Sequence, residues 1–159
     1  MKPFNYSQAQ GELSKDTIET LAKIKEIILS KKIENIQKIK DIRLAAYENL
    51  NQLLHRNLIL NFLTLDGLLS KKIKWNPEQT GGSSEPDIEI KTESGVVNVE
   101  VTTSQKPNGT IRKRMSSTLK KLDAFSGKKI YVVASEAMEK TAVNLIKKWG
   151  YKITVRKIA

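Results

Sequence analysis

Asp87, Glu89 and Glu100 are the residues of this chain whose types and spacing point to chemistry. They lie in residues 80–104, TGGSSEPDIEIKTESGVVNVEVTTS. There Ile88 and Ile90 alternate with Asp87, Glu89 and Lys91, and Val97, Val99 and Val101 alternate with Asn98, Glu100 and Thr102. A period of two is the pattern of a half-buried strand, so both runs predict strands with one apolar and one polar face. A two-residue Ser94-Gly95 turn pairs Glu93 with Val96, Glu89 with Glu100 and Asp87 with Thr102. Asp87 and Glu100 then become diagonal neighbours, about 7–8 Å apart at the backbone. Carboxylates that face each other destabilise a sheet unless a cation lies between them or one holds a proton. A hard divalent ion answers that need, because Mg²⁺ is commonly held by one or two carboxylates while phosphate and water complete its shell.

Composition narrows the ligands further. The chain has 159 residues, no cysteine and a single histidine, His55. Thiolate zinc sites and disulfides are excluded, as is a histidine cluster within one chain, so oxygen ligands remain. The net charge of +11 is unevenly spread. Between residues 76 and 102 the acids Glu78, Glu85, Asp87, Glu89, Glu93 and Glu100 meet only Lys91. From 103 to 125, Lys106, Arg112, Lys113, Arg114, Lys120 and Lys121 meet only Asp123. An acidic island beside a basic stretch suits an enzyme acting on nucleic acid, with cations holding phosphates and carboxylates holding a metal; two solvated faces would read the same way. The first residues lack an apolar signal core, and the most hydrophobic run, 58–69, is broken by Asn61 and Asp66. No membrane span and a cytoplasmic location are therefore expected.

The elements that must position these groups follow from periodicity. After a polar lead-in to Asp16, Ile18, Leu21, Ile24 or Ile28, Ile33, Ile36 and Ile39 predict helix over 17–40. A second helix over 41–69 has Ile42, Ala46, Leu50, Leu53, Leu54, Leu58 and Leu60 as its apolar face, with Glu48 and His55 on the solvent side. A short strand at 71–75 ends at Asn76-Pro77, and the loop Gly81-Gly82-Ser83-Ser84 leads to the hairpin. Thr110 then caps a helix to Phe125 that buries Ile111, Met115, Leu119, Leu122 and Phe125. Arg114, Thr118 and Lys121 border that stripe on one side and Arg112 on the other, while Lys113 and Lys120 point away. A buried strand at 129–135, a helix at 136–149 stopped by Gly150, and a strand at 151–158 close the chain as a β-α-β unit, which favours parallel pairing. The order is α(α)βββαβαβ, read as an N-terminal helical extension, 1–40, and a main domain, 41–159.

That order, with Pro86-Asp87 opening one strand and Glu100-Val101-Thr102 closing the next, resembles the PD-(D/E)XK nuclease superfamily over about residues 41–134. The Gly-Gly-Ser loop ahead of Pro-Asp makes it most similar to archaeal Holliday-junction resolvases and small restriction-type endonucleases. The resemblance implies a restriction endonuclease-like α/β fold, a central mixed sheet flanked by helices. It implies Mg²⁺ or Mn²⁺ held by Asp87 and Glu100, with Glu48 as the helical acid that completes the site. Thr118 matches a polar position on the helix after the hairpin. The motif's lysine, which positions or activates the attacking water, is here Thr102. Lys121 is the expected substitute cation, ahead of Arg114 and Lys106, giving Asp87, Glu100, Thr102 and Lys121 as the catalytic set. Lys106, Arg112, Arg114 and Lys121 are the expected DNA contacts. The function implied is a metal-dependent DNA endonuclease acting as a homodimer, as such nucleases commonly do. Thr102 keeps two alternatives open: a catalytically inactive nucleic-acid-binding module, and a structural subunit that dimerises through helix 17–40.

Overall fold

The computed structural model describes residues 1–29, 36–69, 71–77 and 84–158, without the side chains of 26–29, 36–43 and 45. The chain is α/β. Its six-stranded mixed sheet runs, in spatial as in chain order, β1 (Lys2–Pro3), β2 (Lys72–Trp75), β3 (Ile88–Thr92), β4 (Gly95–Thr102), β5 (Lys128–Val133) and β6 (Thr154–Lys157). The helices are α1 (Tyr6–Leu29), α2 (Ile36–Leu65), α3 (Gly109–Asp123) and α4 (Glu136–Trp149). β1 to β4 pair antiparallel, whereas β4, β5 and β6 pair parallel through the α3 and α4 crossovers, as the closing β-α-β pattern requires.

The period-two pattern sends the hairpin's two faces to different layers. Ile88, Ile90, Val99 and Val101 are buried with Leu58, Ile59, Phe62 and Leu63 of α2. Tyr131 and Val133 turn the other way and pack with Met115, Leu119 and Leu122 of α3 and Met138, Ala142 and Leu145 of α4. The polar face carrying Glu100 thus opens toward α3. Asn108, rather than Thr110, caps that helix, its side-chain oxygen accepting from the Ile111 N–H at 3.0 Å. Ser135 caps α4, and Gly150 ends it at φ 69°, where a glycine costs little.

Three helical expectations change. The lead-in is structured: Lys2–Pro3 adds an edge strand, and Phe4 packs edge-on against Trp75 at 5.3 Å. Tyr6, Ala9 and Leu13, at helical spacing, bring the start of α1 onto the sheet's first core, while Ile18 and Leu21 of the expected stripe are exposed. The expected boundary at residue 40 falls within the first turns of α2. On α2 itself Leu58 and Leu60 of the expected face are buried, but Leu50 and Leu54 are exposed, and His55, Ile59, Phe62 and Leu63 complete the core stripe. The side chains of Ile28, Ile36, Ile39 and Ile42, together with Ile33, Glu78 and the Gly81-Gly82-Ser83 part of the loop, lie outside the described residues.

The hairpin register also differs, by two residues. Glu93 and Ser94 form the turn and Thr92 pairs with Gly95, giving Lys91↔Val96, Ile90↔Val97, Glu89↔Asn98 and Ile88↔Val99. Thr92 makes the tighter closure by donating its hydroxyl to the Gly95 carbonyl at 2.9 Å. An even shift leaves each side chain on its expected face, since side-chain direction repeats every two residues.

Gly127 fixes how the loop after α3 meets this hairpin. It sits at φ 83°, and a Cβ there would lie 2.2 Å from the Val96 carbonyl oxygen. Gly127→Ala is expected to destabilise the fold by more than about 2 kcal/mol. Urea unfolding measures this, and a shift smaller than about 0.5 kcal/mol would contradict the close approach.

Candidate active site

The observed register carries Asp87 to the position across from Glu100, one step beyond the Ile88–Val99 pair, rather than diagonal to it. Asp87 is held from both neighbouring strands. Its backbone carbonyl accepts from the Asn76 N–H at 2.7 Å, and its Oδ2 accepts from the Val101 N–H at 2.7 Å. Glu89, expected opposite Glu100, instead sits between Asn98 of β4 and Lys74 of β2.

Glu100 is only 5% exposed, and Lys121 of α3 forms an ion pair with its Oε1. The Lys121 Nζ also donates to the Glu85 carbonyl at 3.2 Å, tying α3 to the turn that precedes Asp87. The cation expected to replace the missing motif lysine is therefore on Glu100. Thr102 lies two residues beyond Glu100, beside the Tyr131 phenol. A hydroxyl carries no charge, so Thr102 cannot supply what a lysine would.

Asp87, Glu100, Thr102, Lys121 and Tyr131 line a cavity of about 620 Å³ whose α3 wall presents Lys113, Arg114, Ser117 and Thr118. Lys113, expected to point away, faces this cavity. Arg112 and Lys106 are exposed outside its wall. Acid thus lies at the floor of the cavity and base along one wall.

Burial raises the Asp87 pKa; nearby His55, the Val101 N–H and Lys121 oppose that rise. Glu100 is pushed up to about 8, first by burial and then by the charge of Asp87, with Lys121 opposing. Two removed-from-water carboxylates compete to stay ionised, and one ammonium does not neutralise both. Burial also raises the Tyr131 pKa, keeping its phenol a proton donor.

His55, expected on the solvent side, is fully buried with its Nε2 3.8 Å from Asp87 Oδ1. Burial lowers its pKa, Asp87 opposes and Arg56 adds to the fall, so the imidazole is neutral near pH 7. Its position was readable from the sequence: His55, Leu58, Ile59, Phe62 and Leu63 are spaced as one helix face. Arg56 helps to fix α2 there, pairing with Asp16 of α1 and donating from Nε to the Pro77 carbonyl at 3.3 Å. Glu48, two turns earlier on α2, is exposed and does not join the cluster. Among the described residues no three His, Asp or Glu side chains converge closely enough to hold one ion, and no helix is long and apolar enough to cross a membrane.

In comparisons with known proteins, no family model, no curated protein and no solved structure matches this chain.

The Glu100 shift has a stability consequence of defined sign. The folded chain keeps a proton on Glu100 up to about pH 8, whereas an unperturbed glutamate loses it near its ordinary value of 4.5. Across that window the folded state binds more protons, so stability falls as pH rises, by a few kcal/mol at most. Glu100→Gln should remove most of that slope in urea midpoints taken with chelator at about pH 5 and about pH 8. A slope unchanged by the substitution would contradict the burial of Glu100 as a strained acid.

Proposed function

We propose that this chain is a metal-dependent endodeoxyribonuclease of the PD-(D/E)XK type in which Lys121, from the helix after the hairpin, replaces the lysine of the Glu-x-Lys position. The observation that carries this reading is the meeting of Asp87, Glu100 and Lys121 at the floor of a cavity walled by Lys113 and Arg114. The strand order, with an antiparallel hairpin followed by two parallel crossovers, is consistent with a restriction endonuclease-like fold.

The donor set fits a hard divalent ion. Asp87 and Glu100 face each other largely out of water beside a cavity that admits water and phosphate, and an ion held by both oxygens would take the place of the proton on Glu100. An ion held there, Mg²⁺ or Mn²⁺, supplies Lewis acidity toward a phosphoryl oxygen and a more acidic water. The chain's own residues do the rest. Arg114 and Lys113 hold the backbone phosphates, and the Ser117 and Thr118 hydroxyls donate to their oxygens. Lys121 orients the attacking water and stabilises charge that accumulates on the phosphoryl oxygens. Water forms a new bond to phosphorus, the bond to the leaving oxygen breaks, and that oxygen takes a proton.

With Mg²⁺ or Mn²⁺ the protein should cleave plasmid or branched DNA. Asp87→Ala and Glu100→Ala should each lower the rate more than about 100-fold, and Lys121→Met by about 10²–10³-fold, with DNA affinity changed far less. Arg114→Ala should weaken binding to all sequences and reduce the salt slope by about one. Cleavage that survives both carboxylate substitutions would place the activity elsewhere. Salt-sensitive binding without cleavage in any metal would identify a binding module instead.

A further inference from the structure

Two sides of α2 are occupied. Ile59, Phe62 and Leu63 are buried in the sheet's first core, and Gln52, Leu53 and Arg56 line a cleft shared with Asp16, Glu19 and Thr20 of α1. The third side is open: Leu44, Tyr47, Leu50, Leu54 and Leu65 are each between 42% and 70% exposed. Along it Leu44, Asn51, Leu58 and Leu65 recur every seven residues, and Tyr47, Leu54 and Asn61 fall three places after the first three of these. That is the spacing of a coiled-coil seam, sustained over residues 44–65. The only charged residues in that span are Glu48 and Arg56, and neither belongs to the seam. A solvated helix face is expected to carry charge, as α3 does with Lys113 and Lys120 and α4 with Lys147 and Lys148.

The pattern of the seam identifies its occupant. An uncharged face offers nothing to a polyanion, and it lets two chains of equal net charge, +11 each, come together. The seam also matches itself. Side by side in register, Asn51 and Asn61 meet their own counterparts; with one helix reversed, Asn51 meets Asn61, Leu54 meets Leu58 and Tyr47 meets Leu65. In either direction apolar lies on apolar and amide on amide, which is what a two-fold interface requires and how a buried asparagine fixes register. The five exposed side chains leave on the order of 500 Å² of apolar surface per copy, so a pair covers about 1,000 Å², where specific interfaces begin. The other exposed stripe, Ile18 and Leu21 of α1, is interrupted by Lys25.

We propose that this chain forms a two-fold homodimer through the 44–65 seam of α2, and not through the helix expected over 17–40. The inference does not rest on the nuclease reading, since no residue of α2 lines the cavity at Asp87 and Glu100.

The test is sedimentation of the tag-free chain over a range of concentrations. The wild type should sediment as a dimer that dissociates on dilution. Leu54→Lys should weaken the dimer more than about tenfold while circular dichroism and Tm stay unchanged, because Leu54 is exposed in the single chain. Ile18→Lys should leave the dimer intact. The chain has no cysteine, so Leu54→Cys introduces a single thiol. In either direction the two copies of residue 54 lie within about one helical turn of each other, and a short bis-maleimide should join them, whereas Ile18→Cys should not crosslink. That crosslink decides the matter even if Leu54→Lys does not fold. A wild type that stays monomeric overturns the proposal. So does a dimer that persists in Leu54→Lys, or one that Leu54→Cys fails to crosslink.

Discussion

Two carboxylates set across an antiparallel strand pair and largely withdrawn from water repel each other, and the surrounding structure has to answer that repulsion. Asp87 and Glu100 are in this position, and burial drives both toward holding a proton. A sheet does not gain stability from such a pair. Apolar residues of similar size at both sites would cost less.

The scaffold answers from two sides. Strand neighbours clamp Asp87 through its carbonyl and one carboxylate oxygen, so its second oxygen has a fixed direction. From α3, Lys121 reaches Glu100 and the Glu85 carbonyl, bringing a cation to the carboxylates from outside the sheet. In the proposed reaction a lysine on that helix would do the electrostatic work of one on the strand, because the work depends on where the ammonium sits and not on which element carries it.

Much of this was legible in the sequence where side-chain period and charge decide the outcome. Alternation in 87–102 specified which faces Asp87 and Glu100 share, and an even register shift could not undo it. The stripe of Met115, Leu119 and Leu122 put Lys121 beside the hairpin. Register itself was misread, because the Thr92 hydroxyl closes the turn one position earlier than Ser94-Gly95 suggests. His55 was misread because leucines at 50 and 54 drew the apolar face of α2 to the wrong side. The spacing of His55 with Leu58, Ile59, Phe62 and Leu63 carried the right face. The folding of the first residues onto Trp75 was a long-range contact, written in Phe4, Tyr6 and Ala9 but detectable only once the sheet edge exists.

The most direct test of the central claim is a crystal structure with Mn²⁺ diffused in, read by its anomalous signal. A peak within about 2.3 Å of a carboxylate oxygen of both Asp87 and Glu100, with the Lys121 ammonium close by, is the expected result. A well-ordered structure with the two carboxylates turned apart, or with Mn²⁺ bound only elsewhere, would contradict it.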